Sequence, residues 1–331
     1  MRASTITILS ILVLISCSKD ERDTANPTPA FQVPYEFVSY EVFPQATDGN
    51  ITTGLSTQYA YLPKEATVRK NKLFVFLPGT FAKPQTYLKI LQTASEYGYH
   101  AIGIHYQNTQ DVGSYCGSTN DDQCDANVLK EFFTGIDHSP NVNVGQGDGF
   151  TNRIQKMILY LDAQKPNENW KQFLSGGNGV KWELISLAGH SQGSGHTFYI
   201  SKQVNLLRAS LFSGPNGFTL ANGSYPSWVS NTGATPNSKV FGFSNKNDNL
   251  SQWNFVSNVW NTIGLAGKQI NVDTQTDFGG SHQLFTEVVP PPTQGSASPT
   301  HGSTAVDIVT PLNPNGRPKF ENVWKYMCFP E

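Results

Sequence analysis

The chain is poor in charged residues. Only 15% of its 331 residues are Asp, Glu, Lys or Arg, where about 25% is usual in soluble domains. The 23 basic and 25 acidic residues nearly cancel, so the chain lacks the extended basic surface that binding to nucleic acid phosphates requires. Aromatic residues, by contrast, reach 12%, which argues against a disordered chain. The composition indicates a folded protein that does not bind nucleic acid.

Long apolar runs are also missing, apart from one near the N-terminus. Residues 6–15 are almost continuously apolar, but a helix needs about 20 residues to cross the hydrocarbon core of a bilayer. Arg2 precedes this run, and Ser16 and Cys17 follow it, which is the order of a cleaved export signal. The segment therefore predicts a signal peptide over residues 1–16 rather than a transmembrane anchor.

The end of this signal, Leu14-Ile15-Ser16-Cys17, resembles the lipobox of bacterial lipoproteins. The resemblance implies that Cys17 is lipidated and becomes the first residue of the mature protein. Residues 17–36 are charged and then proline-bearing, without periodicity, which predicts a flexible tether. A serine directly after the cysteine, as at Ser18, resembles an outer-membrane sorting signal. The acidic pair Asp20-Glu21 is similar to the surface-export signals of some Gram-negative lipoproteins. The resemblance thus implies an exported protein held by lipid at the outer membrane, on its surface or its periplasmic face.

Cysteine is scarce, with four residues in the chain. With Cys17 lipidated, Cys116 and Cys124 remain as a close pair in a loop rich in Gly, Ser, Asn and Asp, and export favours a disulfide between them. Two free thiols are the alternative, since neither a CxxC pattern nor a nearby histidine pair indicates zinc. Cys328 lies between two apolar residues and is predicted to be a buried thiol.

From Phe37 onward, β-rich runs alternate with segments of helical length. This order predicts an α/β domain with a mostly parallel sheet and helices on both faces. No internal repeat or linker divides residues 37–331, so one domain is the simplest interpretation. Strands are predicted over residues 37–43, 57–62 (an antiparallel start), 73–77, 100–106, 182–188, 208–212, 239–243 and 268–272, and helices over 84–97, 126–137, 151–164, 194–206 and 251–263.

The pentapeptide Gly189-His190-Ser191-Gln192-Gly193 is the only G-x-S-x-G in the chain. The bare pattern is weak, because a chain with 29 glycines can contain it by chance. Its position is more specific, since an apolar strand precedes it and a helix follows it, and a sharp turn between the two projects the Ser191 hydroxyl. The N–H of Gln192, at the start of the helix, can donate to an oxyanion. The motif therefore indicates a nucleophilic serine.

A second oxyanion donor is expected in the loop after an earlier strand. Leu77-Pro78-Gly79-Thr80 occupies that place, and the N–H of Thr80, or alternatively of Phe81, is the candidate. Alone, Pro78-Gly79 is an ordinary turn at the end of a strand. Together with the serine turn, it indicates an oxyanion hole.

On these motifs, residues 37–331 resemble the α/β-hydrolase superfamily, and its secreted esterases and lipases more than its peptidases. The resemblance rests on the turn at Ser191, the Pro-Gly loop at Thr80 and the chain order of serine, acid and histidine. It implies an acid after the strand that ends at Phe243, and Asp248 is the only carboxylate in that loop. A helix N-cap is the alternative role for Asp248.

The resemblance also implies a histidine base, and only His282 and His301 follow Asp248. His282 ends a glycine-rich turn after the last predicted strand, where the superfamily usually places its base, and we favour it. His301 follows a proline-rich stretch that resembles an inserted surface loop, and it is the alternative. His190 is expected to orient the serine turn rather than to transfer protons.

Together these residues predict a serine hydrolase that cleaves carboxylic esters through an acyl-enzyme, with Ser191, Asp248 and His282 as its triad. The favoured substrates are short-chain or carbohydrate-linked esters at the cell envelope, and the chemistry needs no metal or organic cofactor. The alternatives are a peptidase or amidase that uses the same residues, and a surface lipoprotein that binds glycans without catalysis. The sequence does not indicate the oligomeric state.

Overall fold

The computed structural model describes residues 36–290 and 298–331. The predicted signal peptide, Cys17 and the tether up to residue 35 lie outside these ranges. Within them, the chain forms one sheet of nine strands with helices on both of its faces.

The strands bear out the predicted α/β class. They are β1 (Phe37–Val42), β2 (Gln58–Pro63), β3 (Leu73–Leu77), β4 (His100–Gly103), β5 (Ile185–His190), β6 (Arg208–Phe212), β7 (Val240–Asn245), β8 (Ile270–Asn271) and β9 (Gln283–Thr286). Their order in the sheet is β1-β2-β4-β3-β5-β6-β7-β9-β8. β2 is antiparallel to both of its neighbours, and the other pairs are parallel. The sheet is therefore mostly parallel with an antiparallel start, as predicted.

The α-helices occupy most of the connections between strands. They are α1 (Pro44–Thr47), α2 (Leu88–Glu96), α3 (Val112–Cys116), α4 (Cys124–Thr134), α5 (Phe150–Gln164), α6 (Gln192–Gln203), α7 (Ser227–Ser230), α8 (Trp253–Ile263), α9 (Pro299–Gly302) and α10 (Glu321–Cys328). α4 ends at Gly135, whose φ of 70° is the left-handed conformation that glycine adopts readily after a helix. In the described ranges, no helix is both long and apolar enough to cross a membrane.

β3 shows how the sheet separates two hydrophobic cores. Leu73, Val75 and Leu77 face one core, which contains side chains of α4, α5, α6 and α8. Phe74 and Phe76 face the other, which contains side chains of α2 and α10. All five side chains are buried, as expected for a central parallel strand that is covered on both faces.

The cysteine predictions for the described residues are confirmed. Cys116, the last residue of α3, forms a disulfide with Cys124, the first residue of α4. Cys328 is a free, buried thiol at the end of α10.

The C-terminal part of the sheet differs from the prediction. The last predicted strand, over residues 268–272, is reduced to the two residues of β8, and an unpredicted strand, β9, begins just after His282. β9 pairs in parallel with β7 and with β8. His282 therefore precedes a strand of the sheet instead of following the last one.

The parallel strands present their carboxyl ends at one edge of the sheet. Loops after β3, β5, β6, β7 and β9 meet there, and in α/β sheets this is the edge at which ligands bind. Thr80, Ser191 and Asp248 all lie in these loops. The candidate site is built at this edge.

Candidate active site

Ser191 lies between the last residue of β5 and the first residue of α6. Its backbone has a φ of 54° and a ψ of −118°, a sparsely populated conformation for a residue with a side chain. The flanking glycines are required by space. A Cβ at Gly189 would lie 2.1 Å from the carbonyl oxygen of Gly193, and one at Gly193 would lie 2.2 Å from that of Leu77. The predicted strand-to-helix turn is confirmed.

Two backbone N–H groups lie beside Ser191. Gln192 is the first residue of α6, so its N–H has no carbonyl partner within the helix. Among the described residues, the N–H of Thr80 has no hydrogen-bond partner either. The Thr80 hydroxyl donates to Gln192 Oε1 over 2.9 Å, which places the two residues side by side. The arrangement can stabilise a negative oxygen next to the serine.

Asn108, a residue that the sequence did not point to, holds the loop after β3. Its side-chain Nδ2 donates to the Gly79 carbonyl oxygen over 2.6 Å, and its backbone carbonyl oxygen accepts the N–H of Phe81 over 2.8 Å. The N–H of Phe81 is therefore engaged, and of the two candidate donors in this loop only the N–H of Thr80 has no partner among the described residues. No motif marks Asn108, because its partners are backbone groups far along the chain.

Asp248 lies in the loop between β7 and α8, with a fully buried side chain. Its Oδ2 is 2.7 Å from Nδ1 of His301. Its Oδ1 accepts the backbone N–H groups of Leu250 and Ser251. Asp248 does not cap α8, whose N-cap residue is Gln252, so the alternative role considered from the sequence is not found.

The expectation that His282 is the partner of Asp248 is wrong. His282 precedes β9, so it lies at the edge of the sheet where the parallel strands begin, opposite to Ser191. Its Nδ1 donates to the carbonyl oxygen of Val240, the first residue of β7, over 2.9 Å. Its ring stacks on Phe241 with 3.9 Å between the centroids, and burial lowers its pKa. These contacts give His282 a structural role, and the alternative, His301, takes the place beside Asp248.

His301 also lies close to the serine turn. The centroid of its ring is 4.7 Å from that of His190, the residue before Ser191. Among the hydrogen bonds of the described residues, none joins Ser191 Oγ to a histidine. Catalytic hydrogen bonds are often long in a protein without substrate and tighten when substrate binds, so the missing bond does not argue against His301 as a base.

A pocket of about 460 Å³ opens at Ser191. It is lined by the loop after β3, by α3, by the loop after β6 and by the residues before α8. Its polar lining includes Asn216, Thr219 and Gln252, and Phe218 contributes apolar surface. Asp111 is the one charged side chain among the described residues of the lining.

The ring that the disulfide closes, residues 117–123, supports one wall of this pocket. The carbonyl oxygen of Thr119 accepts the N–H of Ala221 over 2.8 Å, and the carboxylate of Asp122 accepts the N–H of Ser227 over 2.6 Å. The same loop after β6 lines the pocket through residues 216–219. The ring therefore connects α3, which lines the pocket, to the loop after β6, which lines it as well.

The described part of the chain contains no group of three or more His, Cys, Asp or Glu side chains arranged to hold a metal ion. Ser191, Asp248 and His301 lie with two backbone N–H groups at the same edge of the sheet. No protein-family model matches the chain, and no curated protein matches it significantly.

Proposed function

We propose that the protein is a serine hydrolase that cleaves carboxylic esters, with Ser191 as nucleophile, His301 as base and Asp248 as acid. The observation that carries the proposal is the 2.7 Å contact between His301 Nδ1 and Asp248 Oδ2, at the edge of the sheet where Ser191 occupies a strained turn. A nucleophile, an imidazole and a buried carboxylate that orients it are the parts of a catalytic triad.

We also propose that the fold is that of an α/β hydrolase. In the α/β-hydrolase fold, a serine follows a strand and opens a helix, and its oxyanion hole uses the next residue and a residue of the loop after β3. Gln192 and Thr80 occupy these two positions. The chain order of Ser191, Asp248 and His301 is also the order of that fold. These four agreements support an α/β hydrolase.

Acylation begins with a neutral His301. Its Nδ1–H donates to Asp248, so Nε2 is free to accept the proton of the Ser191 hydroxyl. As the proton moves, Ser191 Oγ bonds to the ester carbonyl carbon, and the N–H groups of Thr80 and Gln192 stabilise the negative carbonyl oxygen. His301 then gives the proton to the leaving alcohol, and the acyl group remains on Ser191.

Deacylation repeats these steps with water. His301 removes a proton from water, and the resulting hydroxide attacks the acyl carbonyl carbon. The same two N–H groups stabilise the oxyanion, and Ser191 Oγ leaves with the proton from His301. Asp248 stabilises the imidazolium in both halves of the reaction.

The lining of the pocket favours an uncharged, polar substrate. Its amide and hydroxyl side chains, among them Asn216, Thr219 and Gln252, can pair with the hydroxyl groups of a sugar, while Phe218 offers surface to a short acyl chain. The single charged lining residue in the described ranges, Asp111, would repel a carboxylate on the substrate. We therefore propose short-chain or carbohydrate-linked esters as the substrate class.

Ser191→Ala tests the proposal. We expect it to reduce turnover of p-nitrophenyl acetate or butyrate by about 10³-fold or more, without lowering the thermal unfolding temperature. Ser201→Ala is the matched control, because Ser201 is a buried serine on α6, the helix that follows Ser191, and its hydroxyl donates to the Phe198 carbonyl oxygen. That variant should keep wild-type turnover.

A fluorophosphonate probe gives a second test, since it labels an activated serine without depending on substrate choice. The folded protein should be labelled at Ser191, and the Ser191→Ala variant should not. Turnover that survives Ser191→Ala, or a folded wild-type protein that is not labelled, would contradict the proposal and favour a binding protein. Chromogenic amides would separate an amidase from an esterase.

A further inference from the structure

His190, the residue before Ser191, is buried, with 4% of its surface exposed. Each of its two ring nitrogens has one hydrogen-bond partner. Nε2 lies 2.9 Å from the carbonyl oxygen of His301, and Nδ1 lies 3.0 Å from the hydroxyl of Tyr87. The ring therefore connects the residue proposed as base to a tyrosine just before α2.

The partners of His190 determine its tautomer. A carbonyl oxygen only accepts, so Nε2 must carry the proton and donate it to His301. Nδ1 then accepts, and the Tyr87 hydroxyl donates to it. Burial lowers the pKa of His190 to about 3 and raises the pKa of Tyr87, so at neutral pH the imidazole is neutral and the phenol keeps its proton.

The Tyr87 hydroxyl also reaches the loop of the oxyanion hole. It accepts the N–H of Gly79 over 3.1 Å, and Gly79 precedes Thr80, the proposed oxyanion donor. One continuous chain of hydrogen bonds thus runs from Gly79 through Tyr87 and His190 to His301. It joins the oxyanion loop, the nucleophile turn and the base.

The backbone of His301 is held from a second side as well. Its carbonyl oxygen also accepts a hydrogen bond from the Ser213 hydroxyl over 2.8 Å. His190 ends β5 and Ser213 follows β6, so two neighbouring strand ends hold this carbonyl, while Asp248, after β7, holds the imidazole. α9, which carries His301, is only four residues long, so contacts of this kind must fix its position.

From this geometry we propose that Tyr87 and His190 are positioning residues for the hydrolysis. They hold the His301 carbonyl so that its imidazole faces Ser191, and they couple that position to the oxyanion loop. The inference rests on the proposed function of Ser191 and His301. Neither residue lines the pocket, so their loss should misplace the base and lower kcat while KM stays nearly unchanged.

Three variants test the inference, with p-nitrophenyl butyrate as the substrate. His190→Leu removes both hydrogen bonds of the ring, and we expect kcat to fall by about 10²-fold with KM within about twofold. His190→Gln keeps an amide that can donate to the His301 carbonyl oxygen from near the position of Nε2, and it should recover about tenfold of that loss. Tyr87→Phe removes only one oxygen atom, and it should lower kcat by about tenfold.

His196→Leu is the matched control. His196 is a second buried histidine, on α6, whose ring packs on Phe132 with 4.9 Å between the centroids. Within residues 36–290 and 298–331, its Nε2 has no hydrogen-bond partner. Its replacement removes a buried imidazole from the helix that follows the serine turn, without touching His301. We expect kcat to stay within about twofold of wild type, because His196 contributes packing and not positioning.

A double variant tests whether the two residues act as one unit. Because Tyr87 reaches His301 only through His190, adding Tyr87→Phe to His190→Leu should lower kcat by clearly less than the tenfold expected of Tyr87→Phe alone, the remainder being due to the lost bond to the Gly79 N–H. Thermal unfolding of every variant shows whether a loss of kcat merely follows a loss of stability. If His190→Leu fails to fold, Tyr87→Phe still decides, since it preserves the shape of the side chain.

If the single variants Tyr87→Phe and His190→Leu each keep a kcat within about twofold of wild type, the inference is overturned. Equal losses in His190→Leu and His190→Gln would also overturn it, because the retained donor would then have no effect. These failures differ from failure of the proposed function. In that case, the wild-type protein itself would hydrolyse no ester and the fluorophosphonate would not label Ser191.

Discussion

At the scale of single residues, the two carboxylate oxygens of Asp248 have different hydrogen-bond partners. Oδ1 accepts the N–H groups of Leu250 and Ser251, which fixes the carboxylate within its own loop. Oδ2 is thereby directed to His301. Because the carboxylate is held in place before any substrate binds, it can fix the imidazole tautomer without first being reorganised.

The two histidines that follow Asp248 should respond differently to replacement. His301→Ala removes the proposed base, and we expect kcat for p-nitrophenyl butyrate to fall by about 10³-fold or more. His282→Ala removes the hydrogen bond to Val240 and the stacking on Phe241 at the other edge of the sheet, so it should keep its turnover. It should lower the free energy of unfolding instead, by about 1–3 kcal/mol.

Steady-state kinetics and thermal unfolding of the two variants check this difference. The fluorophosphonate labelling rate of Ser191 offers a third measurement, because a lost base slows the attack of the serine. Loss of turnover in a well-folded His282→Ala variant, with His301→Ala still active, would reverse our assignment of the base.

At the scale of secondary structure, β9 explains why the sequence favours the wrong histidine as the partner of Asp248. β3 is a continuous apolar run, and β5 and β6 are short segments in which apolar residues predominate, so all three strands could be predicted. β9 has only four residues, Gln283–Thr286, and its pairing with β7 is not visible locally. Beyond this strand the sequence contains one histidine, His301, so a sequence signal for β9 would favour His301 over His282.

The strand-to-helix turn at Ser191 could be predicted because it is a local feature. Gly189 and Gly193 are required by distances within a few residues of Ser191 or to the end of β3, and a short motif records such requirements. Tyr87 and Ser213 could not be predicted as neighbours of the site. Their partners lie far along the chain, and tyrosine and serine in such places are common without any functional role.

The disulfide offers a prediction at the same scale. Its ring is hydrogen-bonded to the loop after β6, which forms a wall of the pocket. Replacing both Cys116 and Cys124 by Ser should let this wall move, and we expect KM to rise by about threefold to tenfold while kcat changes by less than about twofold. The lost cross-link should also lower the free energy of unfolding by about 2–3 kcal/mol.

Kinetics of the double variant beside the wild-type protein measure this effect. Cys328→Ala is the matched control, because it removes a buried thiol from the core on the α10 side without opening the ring. That variant should keep the wild-type KM even where it lowers stability. An unchanged KM in the double serine variant would show that the ring does not support the pocket.

At the scale of the whole molecule, the parallel sheet assembles the site from distant parts of the chain. Thr80, Ser191, Asp248 and His301 follow four different strands, and the common direction of these strands brings their loops to one edge. Mutations in the cores that change the register of β5 or β7 should therefore affect the site even though they lie outside it. The opposite edge, where His282 packs on Phe241, contributes none of the residues of the proposed site.

The last prediction concerns where this molecule acts. If Cys17 is lipidated, the full chain produced with its own leader in a Gram-negative host should take up an alkyne-labelled fatty acid and sediment with membranes, because several acyl chains together give stable anchoring. Cys17→Ala should take up no label and appear in the soluble fraction. Its kcat should match the wild type, since all of the residues proposed for the chemistry lie beyond the tether. Ser18→Ala, which keeps the cysteine, is the control and should remain labelled. Label retained by Cys17→Ala, or absent from the wild-type protein, would contradict the lipoprotein prediction and leave the hydrolase proposal untouched.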